Sequence, residues 1–270
     1  MKVRQLIRSV VPFSVRVAFV RARTMRKWRG EVASFQHAKS PVDGYPLILA
    51  VHRSPLRRAG TTYAEDLQRG KETNVALAAA AIDGTILPPG ASFSYHHAVG
   101  APTRKRGFVM GAELQDGELN PGIGGGCCQV SNLLYVLALL AGASVTERHR
   151  HGLDLFPDSE RTVPFGCGAT VFFPMRDLRF RNELDQEMRI GLTITDGHLV
   201  GQIQTKNPVA RRFEIFEMES EMRQEGGVWI RENRVGRRTL ADDGKTTVEE
   251  VAHNVARCMY DPGAGRAEGG

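Results

Sequence analysis

The chain has 270 residues, 41% hydrophobic and 24% charged, with a formal net charge of +6. Such a composition excludes a wholly disordered chain and allows one large or two modest domains. Four cysteines, two of them adjacent and none regularly spaced, do not make the framework of a small disulfide-stapled secreted protein, and a reducing compartment fits better.

The first 30 residues hold nine Lys or Arg and no acid, so residues 31–270 carry 27 basic against 30 acidic groups and a charge of −3. With no basic stripe on the body and no recognised nucleic-acid motif, a nucleic-acid partner is not expected. The run "VVPFSVRVAFV" is broken by Pro12 and Arg16 and leads to no small-residue cleavage site, so it does not read as a signal peptide. It is also too short for a membrane span. Val3, Leu6, Ile7 and Val10 recur at helical spacing, so residues 1–30 suit either peripheral contact with anionic lipid or a solvated or packed helix. The expected location is cytoplasmic, at the inner membrane face if that contact is made.

Residues 31–46 read as a connector, and "LILAVHRSPL" as the first strand. An Ala-rich helix follows from about Asn74, stopped by Asp83-Gly84, then two short strands around Pro88-Pro89-Gly90. "NPGIGGGCCQVSNLLYVLALLAG" opens the strongest helix, residues 127–141, whose apolar positions Val130, Leu133, Leu134, Leu137, Ala138 and Ala141 recur at three and four, with Gly142 as C-cap. Beyond it the period changes to two, in "ASVTERHRH", "ATVFFP", "MRIGLTITDGHLVGQIQT", "RFEIFEMES", "VWIRENRVGR" and "VARCMY", with Asp196-Gly197 marking a hairpin. The expected fold is α+β, a helical first half packed on a mostly antiparallel sheet. The expected divisions are a basic N-terminal segment and connector (1–45), a core domain (46–205), a β-rich extension (206–262) and a disordered tail (263–270).

A cysteine in the first turn of a helix meets unpaired N–H groups and the positive end of the macrodipole, which favour the thiolate. The preceding Gly124, Gly125 and Gly126 could fold into an anion-accepting nest. His149 and His151, two apart on the next strand, supply a base, with Arg148 and Arg150 on the opposite face able to clamp a carboxylate or phosphate. This order of cysteine helix and then histidine strand is also that of transglutaminase-like and papain-like enzymes. Against each reading stands a bland one: a buried cysteine that packs, structural histidines, solvated arginines. A metal on His149, His151, Cys128 or Asp154 is disfavoured because no C-x₂-C type of spacing is present. No cofactor is expected, and the Gly run lacks the Lys-Ser/Thr of a phosphate loop.

"GGGCCQVSNLLY", "ERHRHG", "FPDSERTVPFGCGATVFFP" and "DLRFRN" together resemble the VanW family, over about Asn74 to Gln204 with a weaker echo to Tyr260. The resemblance implies that Cys128, followed by Gln129, is the family cysteine, that His149 and His151 fall on its His-x-His, and that the chain acts near the bacterial cell envelope, in cell-wall metabolism or glycopeptide resistance. Many members carry an aspartate before the Ala-Thr pair, where this chain reads Cys167-Gly168-Ala169-Thr170, so a carboxylate orienting the histidine would come from Asp154 or Asp158. Two functional expectations follow. One is an acyl-transfer or peptide-cleaving enzyme with Cys128 as nucleophile, His149 or His151 as base, Asp154 as orienting acid, and Gln129 and Ser131 beside the glycines lining the substrate site. The other is a non-catalytic module in which the glycines, Arg148 and Arg150 hold an anionic cell-wall precursor. The oligomeric state is not legible.

Overall fold

The computed structural model describes residues 13–35, 38–57, 64–115, 118–150, 152–154 and 162–262. In chain order the elements are helix α1 (Phe13–Glu31), strand β1 (Leu47–Pro55), helix α2 (Glu65–Ile82), strands β2 (Thr85–Leu87) and β3 (Ser92–Ser94), and the one-turn helix α3 (Tyr95–Val99). A hairpin of β4 (Met110–Gln115) and β5 (Glu118–Ile123) leads into helix α4 (Cys127–Leu140). Strands β6 (Ser144–Glu147), β7 (Leu153–Asp154), β8 (Arg179–Arg181), β9 (Met188–Thr195), β10 (His198–Thr205), β11 (Arg211–Glu225), β12 (Val228–Ala241) and β13 (Thr246–Cys258) complete the chain. The tail 263–270 and the spaced residues Val3, Leu6, Ile7 and Val10 lie outside the described residues.

Helix α4 is the centre of the body. Ten of its fourteen residues are buried, so it is covered on nearly all sides rather than along one stripe. Its far end closes at Gly142 (φ 72°), with Gly142 N–H donating to Leu139 O and Ala143 N–H to Ala138 O. One side rests on strand β10 at Gly201, where a Cβ would stand 2.3 Å from Leu133 Cδ2. Beside it, α2 buries Val75, Ala78, Ala79 and Ile82, the i, i+3, i+4, i+7 stripe of a helix. This helix begins nine residues earlier than the Ala-rich run suggests: "EDLQRGKET" shows no apolar period, yet Glu65 and Asp66 suit a first turn electrostatically.

The sheets are mostly antiparallel: β1-β10-β9-β2, β3-β8-β6, the β4-β5 hairpin, and β11-β12-β13-β7. Asp196 and Gly197, both at positive φ, make the β9-β10 turn as the Asp-Gly pair predicts. The pairing of β13 with β7 is parallel, Arg257 opposite Leu153 and Cys258 opposite Asp154. The α+β class therefore stands. The first half is less helical than expected, because β1 to β5 interleave with its helices; "NPGI" is strand β5, which a reading of Pro and Gly as loop residues misses. "ATVFFP" forms no strand, only a bridge between Phe172 and Arg176 closing a tight turn.

Candidate functional site

The glycine run at the head of α4 bends through two left-handed positions, Gly124 (φ 83°) and Gly126 (φ 99°). What its backbone approaches is the chain itself. A Cβ on Gly125 would lie 2.3 Å from Gly111 O of β4, and one on Gly126 would lie 2.5 Å from Lys71 Cγ of α2. Asn74, fully buried on α2, fastens the junction: its Nδ2 donates to Gly125 O (2.9 Å) and Val109 O (3.0 Å), and its Oδ1 accepts Val109 N–H (2.9 Å). Three N–H groups of the expected nest are spent on backbone carbonyls, Gly124 on Val109, Gly125 on Gly122 and Cys127 on Gly124. Among the described residues, the N–H groups of Gly126 and Cys128 have no acceptor.

Of the two cysteines, Cys127 is buried and its thiol is pushed up to about 12 by desolvation; Tyr95 Oη donates to its carbonyl at 3.3 Å. Cys128 is half-buried, and its Sγ donates to Val171 O at 3.6 Å. Burial raises the Cys128 pKa, Glu113 adds to the rise, and the Arg176 charge opposes it. Desolvation is the largest influence on the thiol and raises its pKa, opposite in direction to the lowering that a helix start favours.

The other candidates fall into three places. Gln129 and Ser131 share the α4 start with Cys128. Gln129 Nε2 donates to Ser54 Oγ and Pro55 O (both 2.8 Å), holding β1. Ser131 Oγ donates to Ala169 O (2.6 Å) while Asn132 Oδ1 accepts Ala169 N–H (2.8 Å), so two α4 side chains clamp the segment that carries Val171.

His149 belongs to a second cluster. Its ring lies 3.0 Å from Glu147 Oε1, which also accepts Asp177 N–H, and Arg179 Nε lies within 3.3 Å of Glu147 Oε2 and 2.9 Å of Asp177 Oδ2. Strand β6 ends at Glu147, so His149 lies just past it and not on the strand as expected; among the described residues the carboxylate beside it is Glu147, while Asp154 pairs with Arg231. Asp177 Oδ1 accepts His96 N–H (2.9 Å) and lies 3.9 Å from the ring of His96, a buried histidine whose pKa desolvation lowers. His151 and Asp158 lie outside the described residues.

A third cluster lies under the long sheet. Arg148 donates to Gly168 O (2.8 Å), Gly166 O and Asn254 Oδ1 (3.1 Å), with its guanidinium over the Tyr135 ring. Arg150 donates to Val255 O, and burial lowers it to about 10. Asp154 is buried against Arg231 (3.3 Å) and accepts from Tyr260 Oη (2.9 Å). The two expected clamp arginines thus hold the chain's own carbonyls. Residues missed from sequence include Asn74, Tyr95, His96, Glu113, Arg176 and Asp177. A polar Asn in an Ala-rich run, the cluster "SYHH" and the Asp of "DLRFRN" were the available signals.

A family described as VanW like protein matches residues 70–204, half of the chain. The chain belongs to the VanW family. The VanW match runs from α2 to β10 and so contains the whole Cys128 junction and the His149 cluster, but neither α1 nor β11 to β13. The chain is 34% identical over 132 residues to the uncharacterized protein YoaR of Bacillus subtilis (strain 168), covering 48% of this chain and 41% of that protein. It is 31% identical over 136 residues to the vancomycin B-type resistance protein VanW of Enterococcus faecalis (strain ATCC 700802 / V583), covering 50% of each. It therefore spans half or less of either relative's length. No solved structure matches.

Proposed function

We propose that this VanW-family chain serves cell-wall metabolism or glycopeptide resistance as a binding module for a cell-wall peptide or its precursor, with the surface around Cys128 as the recognition site. The family relationship to a vancomycin resistance protein supports the setting. The observation that carries the module reading is the placement of Cys128: a half-buried thiol donating to Val171 O, with Glu113 and Arg176 acting on it with opposite charge. A peptide bearing both carboxylate and ammonium groups is complementary to that pair.

Titrating a soluble cell-wall stem peptide into the protein by calorimetry tests this. Arg176→Ala is expected to weaken binding about tenfold, the effect of one lost charge-assisted hydrogen bond, while Cys128→Ser leaves it unchanged because a hydroxyl can still donate to Val171 O. No binding by the unaltered chain, or binding that depends on the thiol, contradicts the module reading.

The acyl-transfer or peptidase reading has one specific support: among the described residues Gly126 and Cys128 N–H have no acceptor at the helix start, where an oxyanion could be received. In it Cys128 is the nucleophile and His149, held by Glu147, the base, in the transglutaminase-like or papain-like order. Alkylation of Cys128 by iodoacetamide, with Cys127, Cys167 and Cys258 replaced by serine, separates the two. The module reading expects the rate to rise only above the ordinary thiol pKa of about 8.5. A midpoint below that value, lost in His149→Ala, would replace it with the enzyme.

A further inference from the structure

Helix α1 presents its apolar stripe to the outside. Among its described side chains the half-buried ones are Thr24, Met25, Trp28 and Glu31, on the side that meets the body: the Trp28 ring packs edge-on against Phe173 (5.5 Å between centroids), and Glu31 pairs with Arg179 at 2.9 Å. Val15, Ala18, Phe19 and Ala22, at i, i+3, i+4 and i+7, are all exposed, Phe19 to 70%. Arg21, Arg23, Arg26, Lys27 and Arg29 are exposed along the same helix, which carries six basic residues and one acid.

A surface helix ordinarily turns its apolar stripe to the core. A stripe kept in water and set among cations matches a helix that lies in the interface of an anionic bilayer, apolar side chains among the acyl chains and guanidinium groups on phosphates. Nucleic acid would engage the cations but has no use for Phe19 and Val15. Such a helix would lie along the surface, since among the described residues no helix is long and apolar enough to cross a membrane.

We propose that α1 is a peripheral anchor that docks on anionic phospholipid through Val15, Ala18, Phe19 and Ala22 and the arginines that flank them. This is independent of what the Cys128 surface binds.

Co-sedimentation of the full chain with vesicles of phosphatidylglycerol and phosphatidylcholine, against phosphatidylcholine alone, tests the anchor. Binding is expected only to the anionic vesicles and to fall steeply as salt is raised from about 0.05 to 0.5 M. Phe19→Ser is expected to weaken it about tenfold, and Arg23→Gln or Arg26→Gln about fivefold each, with thermal unfolding unchanged because these positions are exposed. Equal binding to neutral vesicles, no binding at low salt, or binding indifferent to Phe19→Ser would overturn the proposal. So would displacement of the vesicles by a duplex oligonucleotide whose own binding needs the arginines and not Phe19, which would make α1 a nucleic-acid surface.

Discussion

Asn74 does more for the Cys128 site than any residue in the glycine run. Its amide makes three hydrogen bonds to the backbone of Val109 and Gly125, the one to Gly125 O buried and the two to Val109 part-buried. Asn74→Ala leaves Val109 N–H and Gly125 O without their partner, while Val109 O keeps only Gly124 N–H; it is expected to cost about 2–3 kcal/mol, visible as a lowered thermal midpoint. Asn74→Asp should recover only part, since a carboxylate accepts from Val109 N–H but donates to neither carbonyl. The glycines beside Cys128 were legible as a close approach, and the sequence gives the reason for glycine without the thing approached. Gly111 and Lys71 are distant in sequence, so no local pattern could identify them. Cys128 itself was legible as a helix-start cysteine, but its pKa direction was not: the dipole is a property of the helix alone, whereas desolvation depends on Glu113, Val171 and the rest of the packing.

At the scale of elements, a local pattern decides some elements and tertiary pairing decides others: the β-type run "ATVFFP" forms only a bridge. The α4 stripe and the Asp-Gly hairpin each encode their geometry within a few residues, and both form where the pattern puts them. The polar first half of α2 and the strand β5 lack such signals, because the residues that α2 buries there, Gln68 and Gly70, are not apolar and β5 is fixed by pairing with β4. Gly201 shows the same limit, since in sequence it is only a break in an alternating strand. In three dimensions it is the saddle for α4, and Gly201→Val drives a branched side chain into Leu133 and Leu137. That substitution is expected to lower stability by about 2 kcal/mol, measured by urea denaturation. Gly197→Ala makes a control in open space, where only the cost of its positive φ remains.

For the whole molecule the buried histidines set how stability responds to acid. His96 is faced by the Asp177 and Glu147 carboxylates, by the Phe172 and Arg176 carbonyls and by the Phe173 ring; the polar groups favour its charged form, yet burial prevails and lowers its pKa below 6.5. His52 is lowered by burial as well. Once pH falls through 6.5 the unfolded chain takes up protons that the folded chain refuses, so stability is complete above that value and declines as acid is added toward the folded-state pKa. Thermal midpoints between pH 7.5 and 5 should therefore fall, and His96→Gln should flatten part of the slope; an unchanged slope would mean that His96 protonates freely in the folded state.

The parallel pair between β7 and β13 bears on how the protein comes off the ribosome. Leu153 and Asp154 are synthesised 104 residues before their partners Arg257 and Cys258, a lag of about 5–20 seconds at ordinary rates of translation. Through that interval β7 has no strand to join, and for its first 77 residues the Asp154 carboxylate has no Arg231 to pair with. Every nascent copy is thus exposed, late in its synthesis, to capture by chaperones or by a neighbouring chain on the same message.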